Sequence, residues 1–373
     1  MRTDTRILVT GAGGFIGGWI VEALYLDGFK YVRAGIRRWS SAARIGRFPV
    51  EIVLCDIMNP KQIDDAMQGV DVVIHCAMGS SDVIRKGTEN MLDGALKHHV
   101  KRFIHFSTVD VYGTVEGPID EKHPLVHSGK AYGEAKIEAE NLCWSFYKRG
   151  VPVVVLRPSI VYGPYAKLWI GKFAERLQSG RWGLFKGVGE GTCNLVYIRD
   201  LVNATYRALE SNNAVGQAFN VNGADLITWN EYFSRLNDAL GLPQLREIGQ
   251  RKSTVRSVLM KPTKVAAHFV LDKFGGVITM MYQRYDFLRT IAKRIEKSMK
   301  TTPSGDELGM YGRKPSYRIE KARTLLGYEP AFRVDQGIEM SVRWLRHESL
   351  VSHNNGTESS HTLQMRVGSR RYE

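Results

Sequence analysis

The sequence contains few cysteines and no long apolar run. Its 373 residues include only four cysteines, which lie far apart and form no Cys-x-x-Cys pair: Cys55, Cys76, Cys143 and Cys193. This spacing is not that of a zinc site or a disulfide framework, so we predict no metal site and ordinary buried thiols. The longest apolar stretch, residues 274–282, is much shorter than the roughly 18 to 20 residues of a membrane-spanning helix. The residues before the first predicted strand also lack the basic and apolar regions of a secretory signal, so we expect a cytosolic protein.

Positive charge is concentrated in one segment of the chain. The formal net charge is +14, and residues 251–300 contain twelve Lys and Arg against three acidic residues, a net of +9. Within this segment, residues 285–297 have the pattern of an amphipathic cationic helix. Three interpretations stay open: a wall that binds an anionic substrate, a helix that makes peripheral membrane contact, or a solvated face. Nucleic acid is not expected as a partner.

Apolar runs typical of β-strands alternate with helical patterns along the first half of the chain. This alternation predicts an α/β fold with a doubly wound parallel sheet, the Rossmann arrangement, covered by helices on both faces. The predicted strands are residues 6–10, 31–36, 52–55, 72–76, 102–106, 153–156 and 218–221. The predicted helices among them are residues 15–26, 60–67, 87–99 and 132–147.

The strict alternation fails after Pro164, which predicts a second, smaller and mostly helical domain. Helices are predicted there at residues 228–240 and 319–326. The residues after 350 are polar and without periodicity, which is typical of a disordered tail. The predicted division is a dinucleotide-binding core over 1–164 completed by 192–222, a discontinuous substrate domain over 165–191 and 223–350, and a disordered tail over 351–373.

A glycine-rich turn lies between the first predicted strand and the first predicted helix. Gly11, Gly14 and Gly17 form a Gly-x-x-Gly-x-x-Gly pattern. The first glycine permits a tight turn, the second allows the backbone to approach a pyrophosphate, and the third allows close helix packing. The free N–H groups here, beside Phe15 and Ile16, and the helix dipole attract phosphate. A second glycine-rich run at residues 187–191 lacks a strand before it and a helix after it, so we predict a loop.

The end of the second predicted strand favours NADP(H) over NAD(H). NAD-preferring sites place an acidic residue here to bind the ribose hydroxyls, and this sequence has none. Instead Arg37 and Arg38 follow the strand, and their guanidinium groups could bind a 2′-phosphate. NAD(H) stays open as an alternative. After the third strand, Asp56 and Ile57 are placed to meet the adenine, although Asp56 could instead be an acid at a helix N-terminus.

A tyrosine and a lysine four residues apart form a candidate catalytic pair. Tyr132 and Lys136 share one face of the fourth predicted helix. A nearby ammonium lowers the pKa of a phenol, which would make the phenolate usable as a base near neutral pH. The same spacing recurs at Tyr317 and Lys321 beyond the last sheet strand, where we interpret it as structural. Tyr132 instead lies one unit after Thr108, which follows a central strand at the edge where doubly wound folds bind ligands.

Taken together, these motifs resemble the extended short-chain dehydrogenase/reductase superfamily, which includes sugar-nucleotide epimerases and dehydratases, hydroxysteroid dehydrogenases and dihydroflavonol reductases. The resemblance spans residues 7 to about 345. Beyond the glycine turn, the matching segments are residues 107–108 with 111–113, Tyr132 with Lys136, 156–158 with 161–164, 194–201 and 326–330.

The resemblance implies a site as well as a fold. Tyr132 would be the acid/base, Lys136 would hold the nicotinamide ribose and tune the tyrosine, and Thr108 would hydrogen-bond the reacting oxygen. Ala77 and Pro158 are further candidate cofactor residues. The candidate substrate residues are Ser80, Val109, Asp110 and Asn194.

Departures from the family pattern leave the substrate open. Related sugar-nucleotide dehydratases carry an Asp-Glu pair after the threonine, where this sequence has Val109 and Asp110. Many sugar-nucleotide members also carry asparagine at the position of Ile160. The main hypothesis is an NAD(P)-dependent oxidoreductase or epimerase acting on a secondary alcohol or ketone of an anionic, nucleotide-sugar-like substrate. The alternatives are an NADPH-dependent reductase or dehydrogenase of a steroid- or flavonoid-like substrate, and a non-catalytic dinucleotide-binding regulator. The resemblance also implies a homodimer.

Overall fold

The computed structural model describes residues 2–249, 301–348 and 350. The predicted cationic helix over 285–297 and the predicted tail over 351–373 lie outside these ranges. Within them the strands are, in chain order, β1 (Arg6–Thr10), β2 (Tyr31–Ile36), β3 (Glu51–Leu54), β4 (Val72–His75), β5 (Arg102–Phe106), β6 (Gly117–Ile119), β7 (Val153–Pro158), β8 (Ile160–Tyr162), β9 (Leu184–Phe185), β10 (Thr192–Tyr197), β11 (Gln217–Val221), β12 (Leu226–Thr228), β13 (Glu247–Ile248) and β14 (Pro315–Tyr317).

The described helices alternate with these strands over the first half of the chain. They are α1 (Phe15–Leu26), α2 (Pro60–Met67), α3 (Ser81–Lys97), α4 (Ala131–Lys148), α5 (Lys172–Gln178), α6 (Ile198–Glu210), α7 (Trp229–Leu240), α8 (Gly305–Gly312), α9 (Glu320–Leu326) and α10 (Val334–His347). None of the described helices is long and apolar enough to cross a membrane.

Seven parallel strands form the main sheet in the order β3-β2-β1-β4-β5-β7-β11. The predicted doubly wound Rossmann sheet is therefore confirmed. Side chains alternate between its two faces: Ile7 and Val9 pack with α1 and α6, whereas Leu8 packs with α2, α3 and α4. Because both faces are covered, the central strands are nearly continuous apolar runs, as in the fully buried β7.

The predicted start of α3 is wrong by six residues. The sequence suggested a helix over 87–99, but α3 begins at Ser81 and carries Gly87 in its interior. A Cβ at Gly87 would lie 2.3 Å from Cδ1 of Ile57. This glycine therefore permits close packing on the segment after β3, and it does not mark a helix boundary.

Several short elements do not follow the predicted division into two domains. β6, within the predicted core, pairs with β14 from the carboxyl-terminal part of the chain. β10 was assigned to the core but joins β8 and β12 in a separate three-stranded sheet. In turn α9, predicted for the substrate domain, packs against β11 and α6 of the core. The segment 187–191 forms a turn between β9 and β10, as predicted.

Candidate active site

The glycine-rich turn follows β1 and has the conformation that its glycines permit. Gly11 has a φ of +63°, and a Cβ there would lie 2.8 Å from the backbone N and Cα of Ala77. A Cβ at Gly17 would lie 2.4 Å from the carbonyl oxygen of Gly11. Gly14 is the N-cap of α1, and its N–H donates to the same carbonyl oxygen at 2.9 Å. Side chains at Gly11 and Gly17 would therefore collide with backbone.

The amino terminus of α1 has the features of an anion site. Among the described residues, no acceptor is bonded to the N–H groups of Phe15, Ile16 and Gly17. The first turn contains no acidic residue, and the helix is 12 residues long. Unpaired N–H groups and the positive end of the helix dipole both favour a phosphate. The residues present therefore fit a dinucleotide pyrophosphate.

The remaining predicted cofactor residues lie around the same edge of the sheet. Arg37 and Arg38 directly follow β2 and are exposed, and within the described ranges their guanidinium groups form no ion pair or hydrogen bond with another residue. The Asp56 carboxylate accepts from the N–H of Met58 at 3.0 Å, and Ile57 is buried. The N-cap of α2 is Asn59, so Asp56 is not the residue that caps that helix.

Two further backbone positions complete this edge. The N–H of Ala77, just after β4, donates to Thr10 Oγ1 at 3.3 Å. Pro158 is the last residue of β7 and is buried. Both therefore lie at the carboxyl ends of central parallel strands, where ligands bind in this type of fold.

Thr108 and Tyr132 come together at the carboxyl end of β5. Thr108 begins a short 3-10 helix over Val109–Tyr112, and its Oγ1 accepts from the N–H of Asp110 at 3.2 Å. Tyr132 lies in the first turn of α4 and is 37% exposed, and its phenol is near enough to Thr108 for that side chain to lower the pKa of the phenol. A hydroxyl and a phenol are thus close enough to contact one substrate oxygen.

Lys136 is not among the groups that shift the pKa of Tyr132 in this structure, so its predicted role in tuning the phenol stays a prediction. The pKa of Tyr132 is raised to about 12, chiefly by desolvation of the phenol and also by the negative charge of Asp110, while the Thr108 side chain acts to lower it. Lys136 is 3% exposed, and its Nζ donates to the carbonyl oxygen of Phe106 at 2.6 Å. Its own pKa is lowered to about 8 because burial disfavours the ammonium. The ammonium is therefore bonded to the end of β5 and not to the phenol.

A cavity of about 310 Å³ lies beside Tyr132. Its lining residues are Asp110, Gly113, Ser128, Lys130, Tyr132, Gly133, Leu168, Trp169, Lys172, Phe173, Asp306, Glu307, Met310 and Arg313. Desolvation raises the pKa of the Asp110 carboxyl, and the positive charges of Arg313 and Lys130 act against this rise. Glu307 pairs with Lys172 at 2.9 Å. The wall thus combines aromatic and aliphatic groups with three cationic and three acidic side chains.

The four predicted substrate residues do not all reach this cavity. Asp110 lines it. Val109 instead places its side chain in a buried apolar cluster. Ser80 is exposed at the N-cap of α3, away from the cavity lining.

Asn194, also predicted as a substrate residue, is not among the residues that line the cavity. It is 4% exposed, its Nδ2 donates to the carbonyl oxygen of Pro315 at 3.0 Å, and its Oδ1 accepts from Asn222 at 3.2 Å. Its amide therefore joins β10 to β14.

The second Tyr-x-x-x-Lys copy is structural, as predicted. Tyr317 ends β14 and stacks on Tyr112, with the ring centroids 6.0 Å apart. Lys321 lies in α9, with its Nζ over the ring of Phe219 at 5.1 Å. The two residues do not share a helix, so the spacing has no catalytic meaning here.

Most residues of the cavity wall carry no signal in the sequence that marks them as part of a site. Arg313 lies about two hundred positions from Gly113, whose carbonyl oxygen accepts from its Nη1 at 3.3 Å, and no local pattern marks that contact. Trp169 and Lys172 follow Pro164 in a region without a motif. Only Lys130, two residues before Tyr132, could have been found from its position in the sequence.

Comparisons with known proteins agree with this geometry. The model of the NAD dependent epimerase/dehydratase family matches residues 7–222 of the chain. Over 97% of its length, the chain is 26% identical to a 3beta-hydroxysteroid-dehydrogenase/decarboxylase isoform 1 of Arabidopsis thaliana, covering 84% of that protein. Over 70% of its length, it is 29% identical to a dTDP-glucose 4,6-dehydratase of Actinoplanes sp., covering 90% of that protein.

A solved structure shares the fold at low sequence identity. The UDP-glucuronic acid 4-epimerase from Bacillus cereus, in complex with UDP-glucuronic acid and NAD, aligns with a TM-score of 0.67 at 22% identity. The alignment covers 92% of this chain and all of that one. The chain therefore belongs to the NAD-dependent epimerase/dehydratase family, within the extended short-chain dehydrogenases/reductases, and is a nicotinamide-dinucleotide-dependent enzyme.

Proposed function

We propose that this enzyme oxidises or reduces a secondary alcohol or ketone of a nucleotide-sugar-like substrate, as an epimerase or a net oxidoreductase. The observation that carries the proposal is the placement of Thr108, which follows β5, near the Tyr132 phenol, beside a cavity and at the same sheet edge as the glycine-rich turn. Parallel strands bring β1, β4 and β5 together there. Proton and hydride chemistry can then take place on adjacent atoms.

Each of the three proposed catalytic residues has a distinct task. Thr108 donates a hydrogen bond to the reacting oxygen. Tyr132 takes the hydroxyl proton during oxidation and returns it during reduction. Lys136 holds the nicotinamide ribose and supplies positive charge near the phenol. The nicotinamide, when bound, accepts or donates the hydride.

Cofactor binding should release Lys136 from its present partner. In the described state its Nζ is bonded to the carbonyl oxygen of Phe106, and the pKa of Tyr132 is about 12. A base near neutral pH needs a lower phenol pKa. We infer that Lys136 would serve Tyr132 by leaving this carbonyl oxygen for the hydroxyls of a bound nicotinamide ribose, with its positive charge then nearer the phenol.

For the cofactor we propose NADP(H), with NAD(H) as the alternative. Arg37 and Arg38 follow β2 without a partner in the described part of the chain, and no carboxylate ends that strand. Guanidinium groups bind a phosphate through several N–H groups at once. The Bacillus cereus epimerase holds NAD, so the choice needs a direct measurement. Mass spectrometry of the dinucleotide that co-purifies would identify it.

The substrate proposal depends on the cations of the cavity. Its wall holds Asp110, Asp306 and Glu307 as well as three cations, and Lys172 is paired with Glu307. Lys130 and Arg313 are therefore the cations that a diphosphate or a uronate carboxylate would contact. Residues 168–173 and 306–313, from the predicted substrate domain, meet residues 110–133 of the predicted dinucleotide core at this cavity.

A second candidate is a hydroxysteroid-like substrate that carries an anionic group. Leu168, Trp169, Phe173 and Met310 give the same wall an apolar side. The Arabidopsis relative, named as a hydroxysteroid dehydrogenase, aligns over almost the whole chain. An apolar ring system would pack on these side chains, with its anion on the cations.

A substrate panel separates the candidates. Purified enzyme would be tested by nicotinamide absorbance and by product chromatography with UDP-glucose, UDP-glucuronic acid, dTDP-glucose and a 3β-hydroxysteroid carboxylate. Turnover of a sugar nucleotide supports the main proposal, and turnover of only the steroid supports the second. If Tyr132→Phe turned over the accepted substrate as fast as the wild type, the catalytic assignment would be wrong.

Two predictions about partners remain to be tested on the full chain. Light scattering would test the homodimer. Co-sedimentation with anionic vesicles would test peripheral membrane contact through residues 285–297.

A further inference from the structure

A buried guanidinium contacts both segments that carry the proposed catalytic groups. Arg157 lies in β7 and is 4% exposed. Its Nε and Nη2 donate to the two carboxylate oxygens of Glu140, at 2.9 and 2.6 Å. Its Nη1 donates to the hydroxyl of Tyr112 at 2.9 Å. One side chain therefore bonds two residues that are distant in sequence.

The first of these bonds fixes helix α4. Tyr132, Lys136 and Glu140 are spaced four residues apart and share one helical face. Glu140 is fully buried, and its bidentate bond joins α4 to β7 one turn after Lys136. A two-bond carboxylate–guanidinium pair restricts rotation as well as distance. The pair therefore constrains the register of the helix that carries Tyr132.

The second bond fixes the turn that begins at Thr108. Tyr112 ends the 3-10 helix Val109–Tyr112, for which Thr108 is the N-cap. Its hydroxyl accepts from Arg157 and donates to Asn220 Oδ1 at 2.7 Å. Because a phenol has a single proton, accepting from Arg157 directs that proton to Asn220. Tyr112 is thus held from two strands, β7 and β11.

None of the three residues lines the cavity. Arg157, Glu140 and Tyr112 are all buried and absent from the cavity wall. They can therefore affect the reaction only through the placement of other groups. A lysine could not replace the arginine, because the three bonds need the rigid, forked donors of a guanidinium.

We propose that Arg157 is a positioning residue that sets the spacing of Thr108 and Tyr132, holding α4 through Glu140 and the Thr108 turn through Tyr112. This inference rests on the proposed catalytic role of Tyr132. It adds a function for the arginine that precedes Pro158, and it explains why the site depends on strand β7.

Three variants test the proposal by kinetics. Tyr112→Phe removes the bonds of the hydroxyl to Arg157 and to Asn220 and keeps the Arg157–Glu140 ion pair. Arg157→Lys keeps the charge but loses the fork. Arg102→Lys is the matched control, since Arg102 is also a buried arginine, 9% exposed, but donates to Ala208 and Ser211 at the opposite end of the sheet.

We expect kcat to fall roughly tenfold in Tyr112→Phe and roughly 100-fold in Arg157→Lys, with KM and dinucleotide affinity nearly unchanged. Arg102→Lys should keep the wild-type kcat. A loss of affinity equal to the loss of kcat would mean a general structural role and overturn the proposal. If Arg157→Lys does not fold, the kcat, KM and dinucleotide affinity of Tyr112→Phe test the proposal alone.

A measurement without turnover separates this proposal from the proposed function. Difluorotyrosine at position 132, whose fluorines lower the phenol pKa, would be titrated by ¹⁹F NMR in each background. Tyr112→Phe and Arg157→Lys should move its resonance and its titration midpoint, whereas Arg102→Lys should not. An unmoved resonance in both test variants would overturn the positioning role even if Tyr132 proves catalytic. If the resonance moves but turnover does not depend on Tyr132, the positioning role of Arg157 stands and the catalytic role of Tyr132 is rejected.

Discussion

The glycine-rich turn and the substrate cavity differ in how much of the chain each requires. The turn takes all its glycines from residues 11–17, where Gly11 packs against Ala77 and Gly17 packs against Gly11. The cavity draws on residues 110–133, 168–173 and 306–313, and its cations lie in three separate segments. The turn is thus specified by local backbone sterics, whereas the cavity depends on the docking of distant elements. A mutation in the turn should therefore change the affinity for the dinucleotide, and a mutation in the cavity should change kcat, each with little effect on the other quantity.

The largest effect should come from Tyr132→Phe in the cavity region. Removing the phenol hydroxyl removes the acid/base, and we expect kcat to fall roughly 10²- to 10⁴-fold. Dinucleotide affinity should be unchanged, because the turn does not depend on this hydroxyl. Stopped-flow turnover and a fluorescence titration with the dinucleotide would measure the two quantities. A parallel loss of both would show that the two regions are coupled.

Gly17→Ala should have the opposite profile. The new Cβ would lie 2.4 Å from the carbonyl oxygen of Gly11, so the turn must shift under the dinucleotide. We expect the affinity for the dinucleotide to fall roughly 10- to 100-fold, or about 1.4–2.8 kcal/mol. The matched control is Gly309→Ala, an exposed helical glycine where a Cβ would meet nothing within 4 Å. Equal affinity in wild type and Gly17→Ala would refute the assignment of the turn.

The same contrast explains what the sequence could predict. The seven main strands follow from apolar runs between turn residues, and Gly11 and Gly17 follow from a fixed spacing, because in both cases the cause lies within about ten residues. Arg313 bonds to Gly113 across two hundred residues, and the Asn194–Pro315 bond likewise depends on chain pairing. Such contacts come from how elements pack, which no local pattern encodes. The start of α3 was misjudged for the same reason, since Gly87 serves a tertiary contact with Ile57.

Lys136 lies between the two regions. The burial of its positive charge, which the reaction requires, should lower the free energy of unfolding. Folding lowers its pKa from 10.5 to about 8. Below about pH 8 the folded protein holds a buried charge, which destabilises it. Between about pH 8 and 10.5 the unfolded state binds more protons, so this penalty disappears as the pH rises.

Lys136→Met should therefore stabilise the cofactor-free protein at pH 7 by up to about 3 kcal/mol while abolishing turnover. Urea unfolding at pH 7 and pH 10 would measure the gain, which should shrink at the higher pH. Lys97→Met, at an exposed position of α3, is the control and should change stability little. A Lys136→Met variant that is less stable at pH 7 would mean that the bond to Phe106 outweighs the cost of burying the charge.

The smallest expected effect concerns the edge of the cofactor region, where Arg37 and Arg38 are exposed. Because water screens exposed charges, replacing either with alanine should weaken NADPH binding by only about 1 kcal/mol, or about fivefold. Binding of NADH, which lacks the 2′-phosphate, should stay the same. Lys148→Ala, an equal loss of charge at the far end of α4, should change neither. Isothermal titration with both dinucleotides would give the ratio of the two affinities. An equal loss for NADPH and NADH would mean that these arginines act through general charge, and the preference for NADP(H) would then have no structural basis at this strand end.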